Sequence, residues 1–444
     1  MMPTSGALIP VIPSTFRSPL SRIHETTTFS TGEGIAPVYC PAVAGDDIIQ
    51  AEPTRQAAQA AGDLTARDLV TRRVAKRARR FPDLQPDPLD TAPIATGDPR
   101  DIAFARALDE AIAQRWLTLV ACLEPGLNRS WDSLEPNMQA VLLVGAAQVL
   151  LMDRVPDHAA IDEAVKWAKR HIRTKAGGMV NAVLRRVAEL AGVTIDRAQI
   201  DAEDRPIGEG PRTGPHARNE VPLHDGRVRQ LNRDVFVEEP TSRLAQQTSH
   251  SVFLIEHWAE ALGWSRTVSL AEHSIMHPPI VFTGFESNQL EHPDCAAHDR
   301  DGFFIFSGRH DALVQLMNQH PQSRVQDPTT ADAVQITRTR PFETIVDLCA
   351  GLGTKTAQLA ALHPEAKIIA TDVHNRRLES LHERFNDHDR VAVIDPKDVR
   401  KFNGSADLLV LDVPCSNTGV LARRPEAKYR FNAESVDKLT QLQR

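Results

Sequence analysis

Val346-Asp-Leu-Cys-Ala-Gly-Leu-Gly-Thr-Lys-Thr356 decides the fold class of the C-terminal part of this chain. Ile345 to Leu348 is a short apolar run, a loop bearing Gly351 and Gly353 follows, and helical patterning continues from Thr356 to Leu362. Lys367-Ile-Ile-Ala-Thr-Asp372 reads as a second strand ending in an acid, Val391 to Ile394 as a third, and Leu408-Leu-Val-Leu-Asp412 as a fourth. Strand, loop, helix and strand in alternation predict a parallel sheet covered by helices, with ligands at the carboxyl ends of the strands. Two familiar nucleotide loops are unsupported. A dinucleotide fingerprint needs a third glycine where Thr356 stands, and a P-loop needs glycines where Leu348 and Thr354 stand. Taken singly, each acid in this region reads as a cap or turn residue. Four features in order at this spacing favour a ligand site.

The second informative stretch is Val410-Leu-Asp-Val-Pro-Cys-Ser-Asn-Thr-Gly419, a strand running into a sharp turn that presents Asp412 and Cys415. Together the two stretches resemble the signature motifs of RNA cytosine-C5 methyltransferases of the Fmu/Sun type, which use S-adenosylmethionine. The resemblance implies that Cys349, Ala350, Gly351, Leu352, Gly353, Thr354 and Lys355 let the backbone approach the cofactor. It implies further that Asp372 accepts the ribose hydroxyls and that Asp398 meets the adenine edge. Cys349 otherwise reads as a packing residue. In that family the loop usually runs Cys-Ala-Ala-Pro-Gly-Gly-Lys-Thr, so Gly351, Leu352 and Thr354 are departures. Proline fixes φ and glycine frees it, so these changes alter how stiff the loop is.

Methylation at C5 of cytosine proceeds by addition of a thiolate to C6, which makes C5 nucleophilic. An acid near N3 steadies the developing charge, and a base later removes the C5 proton. By resemblance Asp412 is that acid and also lines the cofactor site. Cys415 assists product release, and a further cysteine in a Thr-Cys pair makes the attack. No cysteine follows Cys415 in this sequence. A C-terminally truncated chain is the expectation. A natural pseudoenzyme, or use of Cys415 as the nucleophile in the manner of DNA enzymes, are the other readings. Arg423-Arg424-Pro-Glu-Ala-Lys428 matches the family's basic segment after the turn, which implies RNA phosphate contact by Arg423, Arg424 and Lys428.

Upstream, residues 64–191 carry helical patterning. Asp101 to Ile112 spaces apolar residues three and four apart, and Pro136 to Met152 is apolar enough for a buried central helix. Asp157 is placed to cap a helix from Ala159 to Arg173, and Gly177-Gly178 to break the chain before a helix from Val180 to Leu190. Arg154-Val-Pro-Asp-His-Ala-Ala-Ile-Asp-Glu-Ala-Val and Val180-Asn-Ala-Val-Leu-Arg-Arg make this region similar to an all-helical NusB-like domain. Two basic runs sit in it without an acid: Arg72 to Arg80, and Lys166 to Arg186 with Lys169, Arg170 and Arg173. A charge run is usually a solvated face. On a net acidic chain, segregated cations are what phosphate binding requires, and RNA is the expected partner.

The whole chain of 444 residues carries 51 basic and 58 acidic residues, for a formal charge of −7, which argues against a generally basic nucleic-acid binder. Its length demands more than one core. Five cysteines without metal or disulfide spacing fit a reducing cytoplasm, and no metal is expected from His250, His257, His273 or His277. No apolar run approaches the ~20 residues of a membrane span. The expected division is a tail at 1–62, disordered or arising from a misplaced start codon. A NusB-like domain at 63–195, a linker at 196–228 and a small α+β RNA-seating module at 229–340 follow. An incomplete Rossmann-like methyltransferase domain at 341–444 closes the series. The expected function is S-adenosylmethionine-dependent C5 methylation of a cytidine in 16S rRNA by a monomer, impaired where the nucleophile segment is absent. The alternative is a catalytically inert RNA-binding, antitermination-like protein.

Overall fold

The computed structural model describes residues 64–94, 96–196, 214–285, 290–308, 310–320 and 323–443. The expected tail at 1–62 and the middle of the expected linker, 197–213, lie outside the described residues. Helix α1 (Ala66–Ala78) begins at Thr65, whose side chain accepts from Asp68 N–H, and α2 (Pro99–Leu123) begins at Asp98 in the same way. In α3 (Pro136–Leu151) every residue from Met138 to Leu150 is buried, as its largely apolar sequence requires, and the two polar exceptions, Gln139 and Gln148, are hydrogen-bonded to Trp131 O and Val144 O. A Cβ at Gly145 would run into Leu184, so that glycine lets the central helix approach its neighbour closely. Helix α4 (Asp157–His171) has Pro156 at its cap, and Asp157 is already inside the first turn rather than capping it. Helix α5 (Ala176–Leu190) contains Gly177 and Gly178 in its first turn. The expected break comes at 172–175 instead, and the Lys169 stem lies against Gly177.

Strands β1 (Ala191–Ile195), β2 (Glu220–Pro222) and β3 (Val228–Leu231) form an antiparallel sheet in the order β1-β3-β2. This corrects the linker. Its second half is folded, because Val221 and Leu223 are buried in the core of the helical bundle, with Glu220 and Pro222 beside them buried as well. Helices α6 (Pro240–Thr248), α7 (Val252–Leu262) and α8 (Trp264–His273) share a core with Leu421, Ala427 and Phe431 from the far end of the chain. Next come β4 (Ile280–Thr283), β5 (Cys295–Ala297), β6 (Phe303–Phe306), α9 (His310–Gln319) and β7 (Arg324–Val325). They make a second antiparallel sheet, β5-β6-β4-β7, around Phe282, Phe304 and Phe306. Residues 229–340 therefore belong to several cores rather than to one module. Helix α10 (Pro328–Gln335), the last of them, packs Val334 into the next core.

That core covers a parallel sheet. Strand β8 (Thr344–Asp347) is followed by α11 (Thr354–Leu362), β9 (Lys367–Ala370), α12 (Asn375–Phe385), β10 (Val391–Val393) and β11 (Leu408–Val410). The order is β10-β9-β8-β11, every pair parallel. The chain steps outward from β8 to β10 and then returns to the other side of β8. The reversal lies between β8 and β11, and in open α/β sheets the ligand crevice opens at that point. Two short helices, α13 (Ala427–Arg430) and α14 (Ala433–Leu442), complete the described chain.

Candidate active site

The loop after β8 and the turn after β11 leave the sheet on the two sides of that reversal. Leu348 N–H donates to Val410 O and Ala350 N–H to Thr371 O, so the loop is tied to both neighbouring strands as it leaves. Gly351 and Gly353 have φ of +59° and +82°, the left-handed region that favours glycine. A Cβ at Gly351 would meet nothing within 4 Å, whereas one at Gly353 would come within 2.5 Å of the Phe385 ring on α12. The first glycine borders open space, and the second seats the loop on a helix.

Asp372, at the end of β9 and buried, accepts from Gly351 N–H at 3.0 Å and from His374 N–H at 2.8 Å. Its carboxylate fixes the loop that the sequence pairs it with. Lys355 Nζ lies 2.6 Å from Asp412 Oδ2, joining the two motifs in one ion pair. Asp347 is fully buried beneath them. Its Oδ2 accepts from Thr356 Oγ1 at 2.7 Å, and its Oδ1 has no partner among the described residues. Burial pushes its carboxyl up to about 6, the Thr356 hydrogen bond opposing and the Asp412 charge adding to the shift. The sequence pattern left out Asp347 and the Lys355–Asp412 pair. The one available signal was a lysine at the loop end facing a strand-end acid.

Cys415 is exposed on its turn, its Sγ 3.9 Å from Asn417 Oδ1, and Asn417 holds φ +59°. Cys349 is half-buried, and burial, then Asp372, raises its thiol, which leaves it a protonated packing residue and a poor nucleophile. Asp398 follows β10 in a short 3-10 turn and pairs with Lys401 at 2.8 Å. It lies in the crossover that carries the chain from the edge strand β10 back to β11.

The expected RNA contacts divide. Lys428 is a correction: it is completely buried, with Nζ donating to Gln114 O and Thr248 O at 3.4 and 3.3 Å, and no phosphate reaches it. Arg423 is held by Asp327 at 3.2 Å and by Pro279 O, whereas Arg424 has no ion-pair partner among the described residues. On α4, Lys169 and Arg170 are exposed, and the exposed Arg173 pairs with Glu135 at 2.7 Å. The basic run on α1 separates by face. Arg73 and Arg77 fold onto the buried Asp109, while Arg72, Lys76, Arg79 and Arg80 stay exposed. A groove of about 540 Å³ and a second of about 400 Å³ share Arg72, Lys76 and Arg79 as lining, the second reaching Trp167 and His171. Partial burial and then the Arg72 charge hold His171 below its ordinary value, a sign of the positive field there.

Residues 68–189 match the NusB family, and residues 334–444 match the family of 16S rRNA methyltransferase RsmB/F. The probable ribosomal RNA small subunit methyltransferase B of Bacillus subtilis (strain 168) is similar, at 24% identity over 353 residues, 74% of this chain and 69% of that protein. The ribosomal RNA small subunit methyltransferase B of Xanthomonas campestris is 27% identical over 369 residues, 78% of this chain and 72% of that one. The crystal structure of PH0851 shares the fold with a TM-score of 0.58 at 16% identity, covering 86% of this chain and 81% of that chain.

Proposed function

We propose, for a chain that joins a NusB-family domain to an RsmB/F-type rRNA methyltransferase domain, that it methylates C5 of a cytidine in 16S rRNA with S-adenosylmethionine. The Lys355–Asp412 ion pair across the strand-order reversal carries this reading, because it makes the loop and the turn one site. The residues fit the cofactor. Gly351 leaves open space, Asp372 is an acid held beside it at the end of β9, and both face the crevice position of a doubly wound sheet. Bound there, the cofactor supplies an electrophilic methyl group. Asp412 meets N3 of the cytidine and steadies charge there, with Lys355 fixing its orientation. Cys415 serves product release from its exposed turn. The attacking thiol is assigned to neither Cys415 nor Cys349.

The free cations of α1, with Lys169 and Arg170 on α4 and Arg424 beyond the turn, bind RNA phosphate in this reading, and Asp398 the adenine edge. The protein acts in the cytoplasm as a monomer. No helix among the described residues is long and apolar enough to cross a membrane. The α1 grooves alone would also suit an RNA-binding protein with an inert α/β part. Radiolabelled methyl transfer to undermodified 16S rRNA separates the two, since the inert protein transfers nothing. Calorimetric titration with S-adenosylmethionine tests the site. Wild type is expected to bind and Asp372→Ala to bind about tenfold or more weakly, as a lost hydrogen bond to a charged group predicts. Equal affinity, or no binding by either, sinks the assignment.

A further inference from the structure

Helix α2 leaves helical geometry at one residue. Arg115 has φ −122° and ψ 21° inside a 25-residue helix, with neither proline nor glycine near it. Such a break parts backbone groups from their partners, and in a buried helix each needs another. Side chains from two distant segments take them. The Tyr429 hydroxyl donates to Ala113 O at 2.7 Å and accepts from Trp116 N–H at 3.2 Å. Ser249 Oγ accepts from Leu117 N–H at 2.9 Å and meets the Tyr429 hydroxyl at 2.9 Å. Lys428 Nζ donates to Gln114 O. Arg115 itself, 3% exposed, donates to Pro222 O at 2.7 Å and Gln247 O at 2.8 Å. Burial holds the Lys428 amine well below its ordinary value, with Arg115 adding to it, so this amine is placed for structure rather than for solvent.

From Tyr429 a run of turn hydrogen bonds leads back to Asn417, two residues past Cys415. Tyr429 N–H donates to Glu426 O, Lys428 to Pro425 O, and Ala427 to Arg424 O. Arg423 and Arg424 donate to Val420 O, and Val420 to Asn417 O. Leu421 and Ala427 are buried against α6–α8 along the way. We infer that Lys428 and Tyr429 are positioning residues: segment 417–431 is a strut keyed into the break of α2, and through it the helical domain sets the order of the Asp412–Cys415 turn. The inference rests on reading that turn as catalytic.

Hydrogen exchange by mass spectrometry on the full chain tests it, together with the rate at which iodoacetamide alkylates Cys415. Tyr429→Phe keeps the ring and removes the hydroxyl. It is expected to raise exchange about tenfold at the Val420, Arg423 and Arg424 amides, whose turn hydrogen bonds are the ones that open, and Cys415 alkylation severalfold, as local opening free energies predict. Leu119→Ala removes buried packing elsewhere on α2. Compared at an equal loss of melting temperature, it should leave both readouts near wild type. Ser249→Gly, which suits that residue's φ of +60°, should repeat the Tyr429→Phe pattern and replaces it if that variant does not fold. If Tyr429→Phe leaves the turn unchanged, or moves it no more than Leu119→Ala does, the strut is wrong. If the exchange pattern holds while Asp412→Asn transfers methyl groups normally, the strut stands and the catalytic reading of the turn falls.

Discussion

Asp347 is buried with one oxygen unpartnered, and its carboxyl sits at about 6 against an ordinary 3.8. The folded protein therefore binds a proton that the unfolded chain has released between those values. Stability from this group is fullest below about 4 and is lost as pH rises towards 6, by at most about 3 kcal/mol for two units. Asn at this position can still accept from Thr356. Asp347→Asn is expected to match wild type in urea at pH 4 and to exceed it by roughly 1–3 kcal/mol at pH 7.5. The same offset at both pH values would contradict the shift. The two glycines of the loop give a second contrast. Gly353→Ala meets left-handed strain and the Phe385 ring together, so about 2–4 kcal/mol of stability should be lost in denaturant unfolding. Gly351→Ala meets strain alone, and about 1–2 kcal/mol is expected. The sequence showed both glycines but not the difference, because Phe385 lies on another helix 32 residues further on. Asp372 was legible because strand-end acids follow from strand spacing. Asp347 was not, since burial is a property of the whole sheet.

At the scale of elements, α1 shows what a charge run conceals. Residues 73 and 77 are four apart and share a stripe, and 72, 76 and 79 share the adjacent one. Among the described residues only the first stripe pairs with a buried carboxylate, Asp109, 7% exposed on α2. Helical period alone separates the stripes; which of them is structural depends on a residue more than 30 positions away. Arg73→Gln with Arg77→Gln leaves Asp109 buried and unpaired, and about 3–5 kcal/mol should be lost in thermal or urea unfolding. Arg72→Gln, Lys76→Gln and Arg79→Gln together should change stability by less than about 1 kcal/mol and weaken binding of fluorescent single-stranded RNA. The logarithmic salt slope should fall by about 2, near 0.7 per lost phosphate contact. An unchanged slope would remove the α1 grooves from the RNA site. The long elements were legible from period alone. Strands β1 to β3 were missed because they are three to five residues long and interrupted by polar positions. Lys428 was misread because its motif is basic and its burial is set by α2 and α6.

For the whole molecule, chain order suggested domains set end to end, and the structure interleaves them. Helices α6 to α8 rest on Leu421, Ala427 and Phe431, and that assembly in turn completes α2 through Ser249, Lys428 and Tyr429. The parallel sheet keeps its own core of Ile345, Ile368 and Leu381, which is why its motifs alone were enough to name its architecture. Helices α6 to α8 and strands β2 and β3 could not be read in the same way, since they bury their apolar faces against sequence more than 100 residues away, whereas the β4–β7 sheet closes its own core around Phe282, Phe304 and Phe306. A fragment starting at residue 229 would contain every helix of the expected module and methyltransferase domain and all their strands from β4 on, yet it would lack α2. Tyr429 would lose both its backbone partners and Lys428 one of its two, and the faces of α6 and α13 that pack on α2 would be exposed. Removing several buried hydrogen bonds and this apolar area costs well over ~5 kcal/mol, comparable with the stability of a whole domain. The 229–444 fragment should therefore show early proteolytic cleavage within 240–273 and 420–431, with the sheet region 341–410 more resistant. Limited proteolysis followed by mass mapping reads this directly. A fragment as resistant through 240–273 as the full chain would show that these helices fold without α2, and that the helical domain is an appendage rather than part of the frame that holds the turn.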